Sequence, residues 1–279
     1  MHILNLDPDW ASSENAQIPF TVMRFPAGEI HIKLKESIDV VTDVMIRHRI
    51  KSADDIFLVL FAADALRSKY KGVRITAFIP YMPFSRQDRP MVKGEPFSLR
   101  VLSKILALGN FESIWTLDPH STVTPALIEN LFEVPLRHLG RMRQDIIDVY
   151  GDFDTISPDA GALKKIYDHA KVMRHTGSIF TANKVRDISN GKILRAEVLD
   201  DVKGRTVLIL DDICSYGGTF KALAKELKAR GAKTVLLAVT HYEGVANAEE
   251  LYQNGIDHVY TTSSIDFAPC AYITRYNVY

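Results

Sequence analysis

Short apolar segments alternate with longer helical patterns along most of this chain. The apolar segments, predicted to be β-strands, are residues 1–6, 20–24, 40–46, 73–79, 113–117, 155–157, 206–210 and 234–240. The predicted helices are residues 53–70, 98–108, 125–131, 161–170 and 218–230. Such alternation is typical of mostly parallel sheets flanked by helices, so the predicted fold class is α/β.

The length of the chain favours two domains rather than one. Its 279 residues, of which 47% are hydrophobic, exceed the size of an average single domain. A polar helical stretch at residues 141–150 leads into the sequence GDFDT and is the predicted boundary. We therefore expect Rossmann-like domains at residues 1–145 and 146–279.

Composition excludes several classes of function. The chain has 34 basic and 34 acidic residues, which argues against a nucleic-acid partner held by bulk charge. Its two cysteines, Cys214 and Cys270, are too few for a disulfide framework or a metal knuckle. The first residues lack the features of a signal peptide, and no apolar run is long enough to cross a membrane. The prediction is a cytoplasmic protein with no membrane partner.

Chemically rich segments follow four of the predicted strands: PYMPFSRQDRP, LDPHS, SPDAG and LDDICSYGGT. In open parallel sheets, ligands bind beyond the carboxyl ends of the strands. Because the four segments are spread over both halves of the chain, the sequence predicts a site shared by the two domains.

The last of these segments combines Asp211 and Asp212 with Gly217, Gly218 and Thr219. The helix predicted after the glycines offers unpaired backbone N–H groups and the positive end of its dipole. Glycines allow the backbone to close around a phosphate, and the aspartates suit ribose hydroxyls or a magnesium ion. The sequence predicts a cradle for a ribose phosphate; the alternative is a capped helix after a tight turn.

This segment resembles the phosphoribosyl-diphosphate motif of type I phosphoribosyltransferases and of ribose-phosphate pyrophosphokinases. The segments RFPAGEIHIKLKESI, IPYMPFSRQDRP, LDPHS, SPDAG and TTSSI resemble motifs of the pyrophosphokinases, in the same order along the chain. The resemblance implies two phosphoribosyltransferase-type domains. The N-terminal pyrophosphokinase domain would bind ATP, and the C-terminal domain would bind the ribose phosphate.

The family resemblance also implies an activity: the Mg²⁺-dependent transfer of diphosphate from ATP to the anomeric hydroxyl of ribose 5-phosphate. Residues matching ATP-binding positions are Phe25, Glu29, Arg86, Gln87, Asp88 and His120. Matches to catalytic positions are Lys184, Arg186 and His120, and the metal positions are His120 and Asp159. The ribose-phosphate positions are Asp211, Asp212, Ser215, Tyr216, Gly217, Gly218 and Thr219. Members of the family assemble as dimers or hexamers, which implies a homo-oligomer.

Structural roles remain open for several of these residues. Phe25 can belong to a core, and Arg86 can form a local pair with Asp88 on a surface loop. His120 can be structural, and Asp159 can cap the helix that follows it. Lys184 and Arg186 can be solvated charges on a hairpin.

The chain departs from the family pattern at the ribose-phosphate loop. Ser215 stands where the family has a third acid, Tyr216 replaces a small residue, and Ala27 replaces Asp or Asn in the adenine segment. An aromatic ring at the mouth of the cradle suits an acceptor with its own adenine, such as ADP-ribose in NAD salvage. Ribose 5-phosphate ranks first as acceptor and ADP-ribose second. A phosphoribosyltransferase, a non-catalytic regulatory homologue and a sugar-phosphate binding module are further alternatives.

Overall fold

The computed structural model describes residues 1–7, 17–35, 40–186 and 193–278, without the side chains of 184–186 and 193–196. The chain forms two compact units, Met1–Val134 and Pro135–Tyr279. The predicted boundary after residue 145 falls inside a helix, His138–Tyr150, of the second unit. That helix buries Leu139, Met142 and Ile146 in the core of the second unit, which is why the division comes before it.

The first unit is built around a parallel sheet. In chain order its elements are β1 (His2–Asn5), β2 (Phe20–Arg24), β3 (Ile30–Leu34), β4 (Asp43–Arg47), α1 (Ala53–Lys69), β5 (Arg74–Phe78), α2 (Ser98–Ala107), β6 (Ser113–Thr116), α3 (Val123–Leu127) and β7 (Leu131–Glu133). The sheet has the order β1-β4-β5-β6-β7, with every neighbouring pair parallel. Strands β2 and β3 form an antiparallel hairpin whose second strand packs against α1.

The second unit is also built around a parallel sheet. Its elements are α4 (His138–Tyr150), β8 (Asp154–Ser157), α5 (Leu163–Met173), β9 (Ile179–Thr181), β10 (Asn183–Arg186), β11 (Ile193–Glu197), β12 (Thr206–Cys214), α6 (Gly218–Ala229), β13 (Thr234–Tyr242), α7 (Ala248–Gln253), β14 (His258–Thr262) and β15 (Ile273–Tyr276). The sheet order is β15-β14-β13-β12-β8-β9, all parallel. Strands β10 and β11 form a separate antiparallel hairpin.

The central strand β12 is buried on both faces. Val207 and Ile209 join the apolar cluster that includes Leu223 of α6. Leu208 and Leu210 join the cluster on the other side, which contains α4. Successive strand residues point to opposite faces, so a continuous apolar run fills both clusters and places helices on both sides of the sheet. The predicted α/β class, with two domains of mostly parallel strands flanked by helices, is confirmed.

Two element predictions need correction. The sequence 125–131 was expected to be one helix, but α3 ends at Leu127 and a short edge strand, β7, follows. Strand β12 continues past the predicted end at Leu210 to Cys214, so the two aspartates lie inside the strand. In the described part of the chain, no helix is both long and apolar enough to span a membrane.

Candidate functional site

Asp211 and Asp212 lie near the carboxyl end of β12, between neighbours β8 and β13. Asp212 is buried at 4% exposure, and Asp211 is half-buried. The backbone N–H of Asp212 donates to Oδ1 of Asp211 at 2.9 Å. This bond holds the Asp211 carboxylate in a fixed position at the ligand-binding edge of the sheet.

The two carboxylates have different electrostatic environments. Burial raises the pKa of Asp211 well above its ordinary value, and the charges of Asp212 and Asp159 raise it further. Asp212 has a cationic neighbour, because Nζ of Lys165 lies 3.6 Å from its Oδ2. The acid pair is therefore suited to a ligand that donates hydrogen bonds or brings positive charge to Asp211.

Gly217 makes the turn that follows β12 possible. It has φ of 70° and ψ of 4°, the left-handed conformation that glycine adopts readily. A Cβ at this position would lie 2.8 Å from Cδ2 of Leu251 and 3.1 Å from Cβ of Ala246. Both the conformation and the close packing require glycine at residue 217.

Helix α6 begins directly after this turn, at Gly218. The N–H of Lys221 donates to the carbonyl of Gly217 at 2.9 Å, which starts the helical hydrogen-bond ladder. The N–H groups of residues 218–220 have no carbonyl one turn earlier within the helix, and the helix dipole is positive there. A Cβ on Gly218 would meet nothing within 4 Å. The N-terminal turn of α6 therefore has the backbone geometry and the positive charge of a phosphate-binding site, which we call the phosphate cradle.

The rest of the loop is fixed by the segment after β13. The carbonyl of Cys214 accepts from Glu243 N–H at 3.0 Å, and the carbonyl of Ser215 accepts from Ala246 N–H at 2.9 Å. Tyr216, between these anchors and Gly217, is 75% exposed. The structure thus presents the Tyr216 side chain to solvent beside the phosphate cradle.

Cys214 is buried directly before this loop, whereas Cys270 is half-buried. Burial raises the pKa of Cys214 to about 12, with nearby Asp211 and Glu243 acting in the same direction. We expect Ellman's reagent to modify Cys270 but not Cys214 in the native protein at neutral pH, because a buried neutral thiol is unreactive. In denaturant both thiols should react. Reaction of the native Cys270→Ser variant would contradict this prediction.

Asp159 follows β8, the strand beside β12. Its Oδ1 accepts from the N–H of Ala162 at 2.9 Å, just before α5 begins. The Ser157 hydroxyl donates to the Asp159 carbonyl at 2.7 Å. Asp159 therefore closes the turn before α5 and does not cap the helix itself, and its charge also acts on Asp211.

In the first unit, the segments after β5 and β6 leave the same edge of the sheet, because these parallel strands are neighbours. Their pairing continues beyond the strands: Ile79 N–H donates to the Trp115 carbonyl at 2.9 Å, and Leu117 N–H donates to the Pro80 carbonyl at 3.0 Å. The fold therefore brings the two polar segments predicted to bind ATP to one edge of this sheet.

Arg86 and Gln87 are exposed in the segment after β5. Asp88 is half-buried, and its Oδ1 lies 3.5 Å from Nε of Arg89 rather than beside Arg86. The N–H of Gln87 donates to the carbonyl of Phe84, a residue with φ of 60°. This turn directs Arg86 and Gln87 outward, where they are accessible to a ligand.

The segment after β6 carries Asp118 and His120. Asp118 is buried at 4% exposure and has φ of 36°, a left-handed value that is uncommon outside glycine. His120 is exposed two residues later. The chain therefore turns sharply at Asp118 and presents the imidazole of His120 at the surface.

Phe25 and Glu29 lie at the tip of the β2–β3 hairpin, and both are exposed. Phe25 N–H donates to the Glu29 carbonyl at 2.9 Å and closes the tip. Arg24 ties the hairpin to α1 through Asp54, with Nη2 and Oδ2 2.7 Å apart. Phe25 is 45% exposed, so it does not belong to the core of this unit.

The backbone of Lys184 and Arg186 lies in β10, paired with β11. Their side chains lie outside the described part of the structure. Strand β11 packs against α6, the helix that begins at the glycine turn. The hairpin bearing these two cations is therefore attached to the element that forms the phosphate cradle.

Two features of the second unit were not predicted as part of the site. One is Lys165, beside Asp212; its position in the helix after SPDAG was the available signal. The other is a buried hydroxyl cluster from the TTSSI segment, in which Thr262 and Ser264 donate to the Thr240 carbonyl at 2.7 and 3.2 Å. Nδ1 of His241 lies 2.8 Å from the Ser264 hydroxyl. These contacts tie the end of β13, which pairs with β12, to the TTSSI segment.

Metal binding was predicted at His120 and Asp159, which lie in different units. Among the described residues, no group of three or more His, Cys, Asp or Glu side chains is arranged to hold a metal ion. Asp159, Asp211 and Asp212 offer hard carboxylate oxygens, and Mg²⁺ is commonly bound through one or two carboxylates plus substrate phosphates. The acidic donors fit such an ion in the presence of a phosphorylated substrate.

Two family models match the chain. The model of the N-terminal domain of ribose phosphate pyrophosphokinase matches residues 12–108, and the phosphoribosyl transferase domain model matches residues 156–265. The segments that carry the predicted ATP-binding residues, the acid pair and the glycine loop lie within these ranges, apart from the segment of His120.

Curated relatives match over most of their length. The ribose-phosphate pyrophosphokinase of Pyrococcus furiosus is 31% identical over 250 residues, which are 88% of this chain and 85% of that protein. The ribose-phosphate pyrophosphokinase of Haemophilus influenzae is 29% identical over 254 residues, covering 88% and 78%. The crystal structure of phosphoribosylpyrophosphate synthetase from Mycobacterium smegmatis has a TM-score of 0.78, covers 94% of this chain and 87% of that chain, and is 24% identical. It supports the fold.

Proposed function

The chain belongs to the ribose-phosphate pyrophosphokinase family, and we propose that it transfers a diphosphoryl group from ATP to the 1-hydroxyl of ribose 5-phosphate. As a member of this family it is a transferase of the diphosphokinase type. The observation that carries the proposed acceptor is the acid pair of β12 directly followed by the glycine turn and the start of α6. The products would be phosphoribosyl diphosphate and AMP.

The acceptor would bind to the second unit. Its phosphate would accept hydrogen bonds from the N–H groups at the start of α6 and from the Thr219 hydroxyl. Asp211 and Asp212 would accept from the ribose hydroxyls, which offsets the burial and the repulsion from Asp212 that raise the pKa of Asp211. These contacts would hold the 1-hydroxyl in a defined position, and positioning is the main requirement of phosphoryl-type transfer.

ATP would bind to residues of the first unit. Arg86 is exposed and would grip phosphate oxygens with its planar guanidinium, with Gln87 and Asp88 beside it. His120 would contact the phosphates from the neighbouring segment. Phe25 and Glu29 would contact adenine, through ring stacking and acceptance from the amino group.

In the chemical step, the 1-oxygen of the ribose would attack the β-phosphorus of ATP. The bond from that phosphorus to the oxygen bridging it to the α-phosphorus breaks, AMP leaves with this oxygen, and the hydroxyl proton is released. Lys184 and Arg186, on the β10–β11 hairpin, would stabilise the charge on the transferring group. A bound Mg²⁺ would neutralise phosphate charge; the residue proposed to hold it in the second unit is Asp159, and in the first unit His120.

Release of AMP from ATP tests this proposal directly. With Mg²⁺ present, we expect ribose 5-phosphate to stimulate AMP release in a saturable manner. Ribose, which lacks the phosphate, is the matched control and should give no stimulation at the same concentrations. If no acceptor that carries a ribose phosphate accelerates AMP release, the proposed reaction is wrong.

The loop itself favours a second candidate acceptor, ADP-ribose. Tyr216 is 75% exposed beside the cradle, and Ser215 replaces an acid of the family pattern. A missing carboxylate lowers repulsion against the extra negative charge of a diphosphate. The exposed ring of Tyr216 offers a stacking surface for the adenine of ADP-ribose, and such a contact contributes about 0.5–1.5 kcal/mol. The product would be ADP-ribose pyrophosphate.

Truncating Tyr216 separates the two acceptors. If ADP-ribose is used, Tyr216→Ala should raise its KM by roughly 2- to 10-fold, which corresponds to the loss of one stacking contact. The KM for ribose 5-phosphate should remain unchanged, since that acceptor has no base. Tyr167 of α5, exposed at 53%, provides the matched control Tyr167→Ala. Equal effects on both acceptors would exclude a stacking role for Tyr216.

Assembly into a homo-oligomer is a further part of the proposal. Val22 and Met23 of the β2–β3 hairpin are exposed at 43% and 52%. Neighbouring apolar side chains on an exposed hairpin favour burial against a second copy of the chain. Sedimentation velocity of the wild type and of Met23→Lys would test this: the variant should sediment as a smaller species.

A further inference from the structure

A cavity of about 500 Å³ opens in the second unit, at the edge of the sheet where the strands begin. Asp154 is the first residue of β8, Thr206 is the first residue of β12, and both line the cavity. Asp211 is five residues further along β12, or about 16 Å at the usual rise of a strand. The cavity and the acid pair therefore lie at opposite edges of one sheet.

Basic side chains outnumber acidic ones in the lining. Three residues with fixed positive charge, Arg143, Arg205 and Lys233, face two aspartates, Asp152 and Asp154. One of these aspartates is already neutralised: Asp154 Oδ2 accepts from Arg205 Nη1 at 2.8 Å, and Oδ1 accepts from the N–H of Ser178, also at 2.8 Å. The remaining charges are those of Arg143, Lys233 and Asp152, so the lining has a net positive charge that favours an anion.

Because Arg205 is paired with Asp154, the basic side chains available to contact an anion in the cavity are Arg143 and Lys233. In the part of the chain that the structure describes, neither side chain makes an ion pair. Arg143 is half-buried on α4, and Lys233 is exposed immediately before β13. The charge of Arg143 also reaches His175: burial lowers the pKa of this imidazole, and Arg143 lowers it further, while Asp154 opposes them.

One wall of the cavity is formed by rings. The imidazole of His175 lies on Phe153, with centroids 4.9 Å apart and planes at 32°. Tyr150, half-buried at the end of α4, also lines the cavity. Small-molecule sites typically combine such apolar walls with a few charged groups and have volumes of roughly 300–1,000 Å³.

We propose that this cavity is a second ligand site, which binds a small phosphate-bearing anion through Arg143 and Lys233. The guanidinium of Arg143 matches two phosphate oxygens at once, and the ammonium of Lys233 adds a mobile point charge. The ring wall admits either a bare phosphate or the base of a nucleoside phosphate. The site is separate from the acid pair, so it does not depend on the proposed reaction.

Ring resonances of His175 report occupancy of the cavity directly. In NMR spectra of the full chain, the variant His175→Asn identifies this residue among the nine histidines. Inorganic phosphate and AMP are titrated separately at constant pH and ionic strength. We expect a saturable movement of the His175 resonance with at least one of them. Tighter binding of AMP would identify a nucleotide, and equal affinity would identify the phosphate group alone.

Charge-neutralising variants decide which residues hold the ligand. Arg143→Gln and Lys233→Ala should each raise Kd by roughly tenfold or more, as expected for a charge-assisted hydrogen bond. Lys225→Ala removes the same charge from an exposed position on α6 and should leave Kd unchanged. The proposal fails if chloride moves the resonance equally, if neither ligand moves it at millimolar concentration, or if the lysine variants behave alike.

Discussion

Replacing Asp211 with asparagine is expected to lower kcat/KM for the sugar-phosphate acceptor by roughly 10- to 100-fold. In the proposed complex, the carboxylate accepts a hydrogen bond from a ribose hydroxyl, and charge-assisted bonds contribute about 1.5–3 kcal/mol. The loss should appear mainly in the KM for the acceptor, with the KM for ATP little changed. Initial rates of AMP formation, measured over a range of each substrate, provide both values.

The same substitution is expected to stabilise the protein. Burial and two neighbouring carboxylates raise the pKa of Asp211, so its ionised form is less stable in the folded chain than in the unfolded chain. Asparagine removes this repulsion and keeps an Oδ1 atom that can accept from Asp212 N–H. We expect a gain of about 1 kcal/mol, or roughly 2–4 °C in Tm, measured without divalent cations.

The size of this stabilisation depends on pH. For a carboxyl whose folded-state pKa is raised, the wild type loses stability as pH rises above the ordinary value of 3.8 and through the folded-state pKa. The variant has no proton to lose. The difference in Tm between Asp211→Asn and the wild type should therefore be near zero below that ordinary value and should grow towards neutral pH. A difference that shrinks with rising pH would contradict the assignment.

Asp212→Asn is the matched control, because it removes the same charge from the next residue. Asp212 has Lys165 at 3.6 Å, so the change removes the ion pair between this half-buried ammonium and the Asp212 carboxylate. Removing one partner of a buried pair destabilises a protein. We expect a lower Tm for Asp212→Asn and a higher Tm for Asp211→Asn. Equal shifts would mean that the two carboxylates share one environment.

This difference within the acid pair illustrates what the sequence could and could not predict. The run before Asp211 is apolar, so the strand and its ligand-binding edge followed from periodicity and from the rule for parallel sheets. The unequal environments of the two carboxylates depend on Lys165 and Asp159, which precede them by more than forty residues in the chain. Only the pairing of β8 with β12 brings those residues close.

The domain boundary and the cavity could not be predicted from the sequence for the same reason. Residues 141–150 are polar enough to suggest a linker, yet α4 buries one apolar face against the second sheet. The cavity at the opposite edge collects Arg143 from α4 and His175, Arg205 and Lys233 from three separate connections. No local motif links them, because their proximity results from the strand order of the sheet.

A larger effect on stability is expected from Gly217→Ala. The left-handed conformation costs about 1–2 kcal/mol for a residue with a Cβ. The new methyl would lie 2.8 Å from Leu251 and 3.1 Å from Ala246, and overpacking of this kind costs about 1–3 kcal/mol more. We therefore expect the free energy of unfolding to fall by roughly 2–5 kcal/mol, measured by urea titration with circular dichroism.

Gly218→Ala is the control, and it separates the structural glycine from the functional one. A methyl at residue 218 meets no atom within 4 Å, and alanine is a better helix former than glycine. This variant should be as stable as the wild type. In the proposed complex, however, its methyl would occupy the space in which the acceptor phosphate approaches the backbone, so the KM for the acceptor should rise. If both alanine variants lose stability equally, packing rather than ligand approach explains the Gly-Gly sequence.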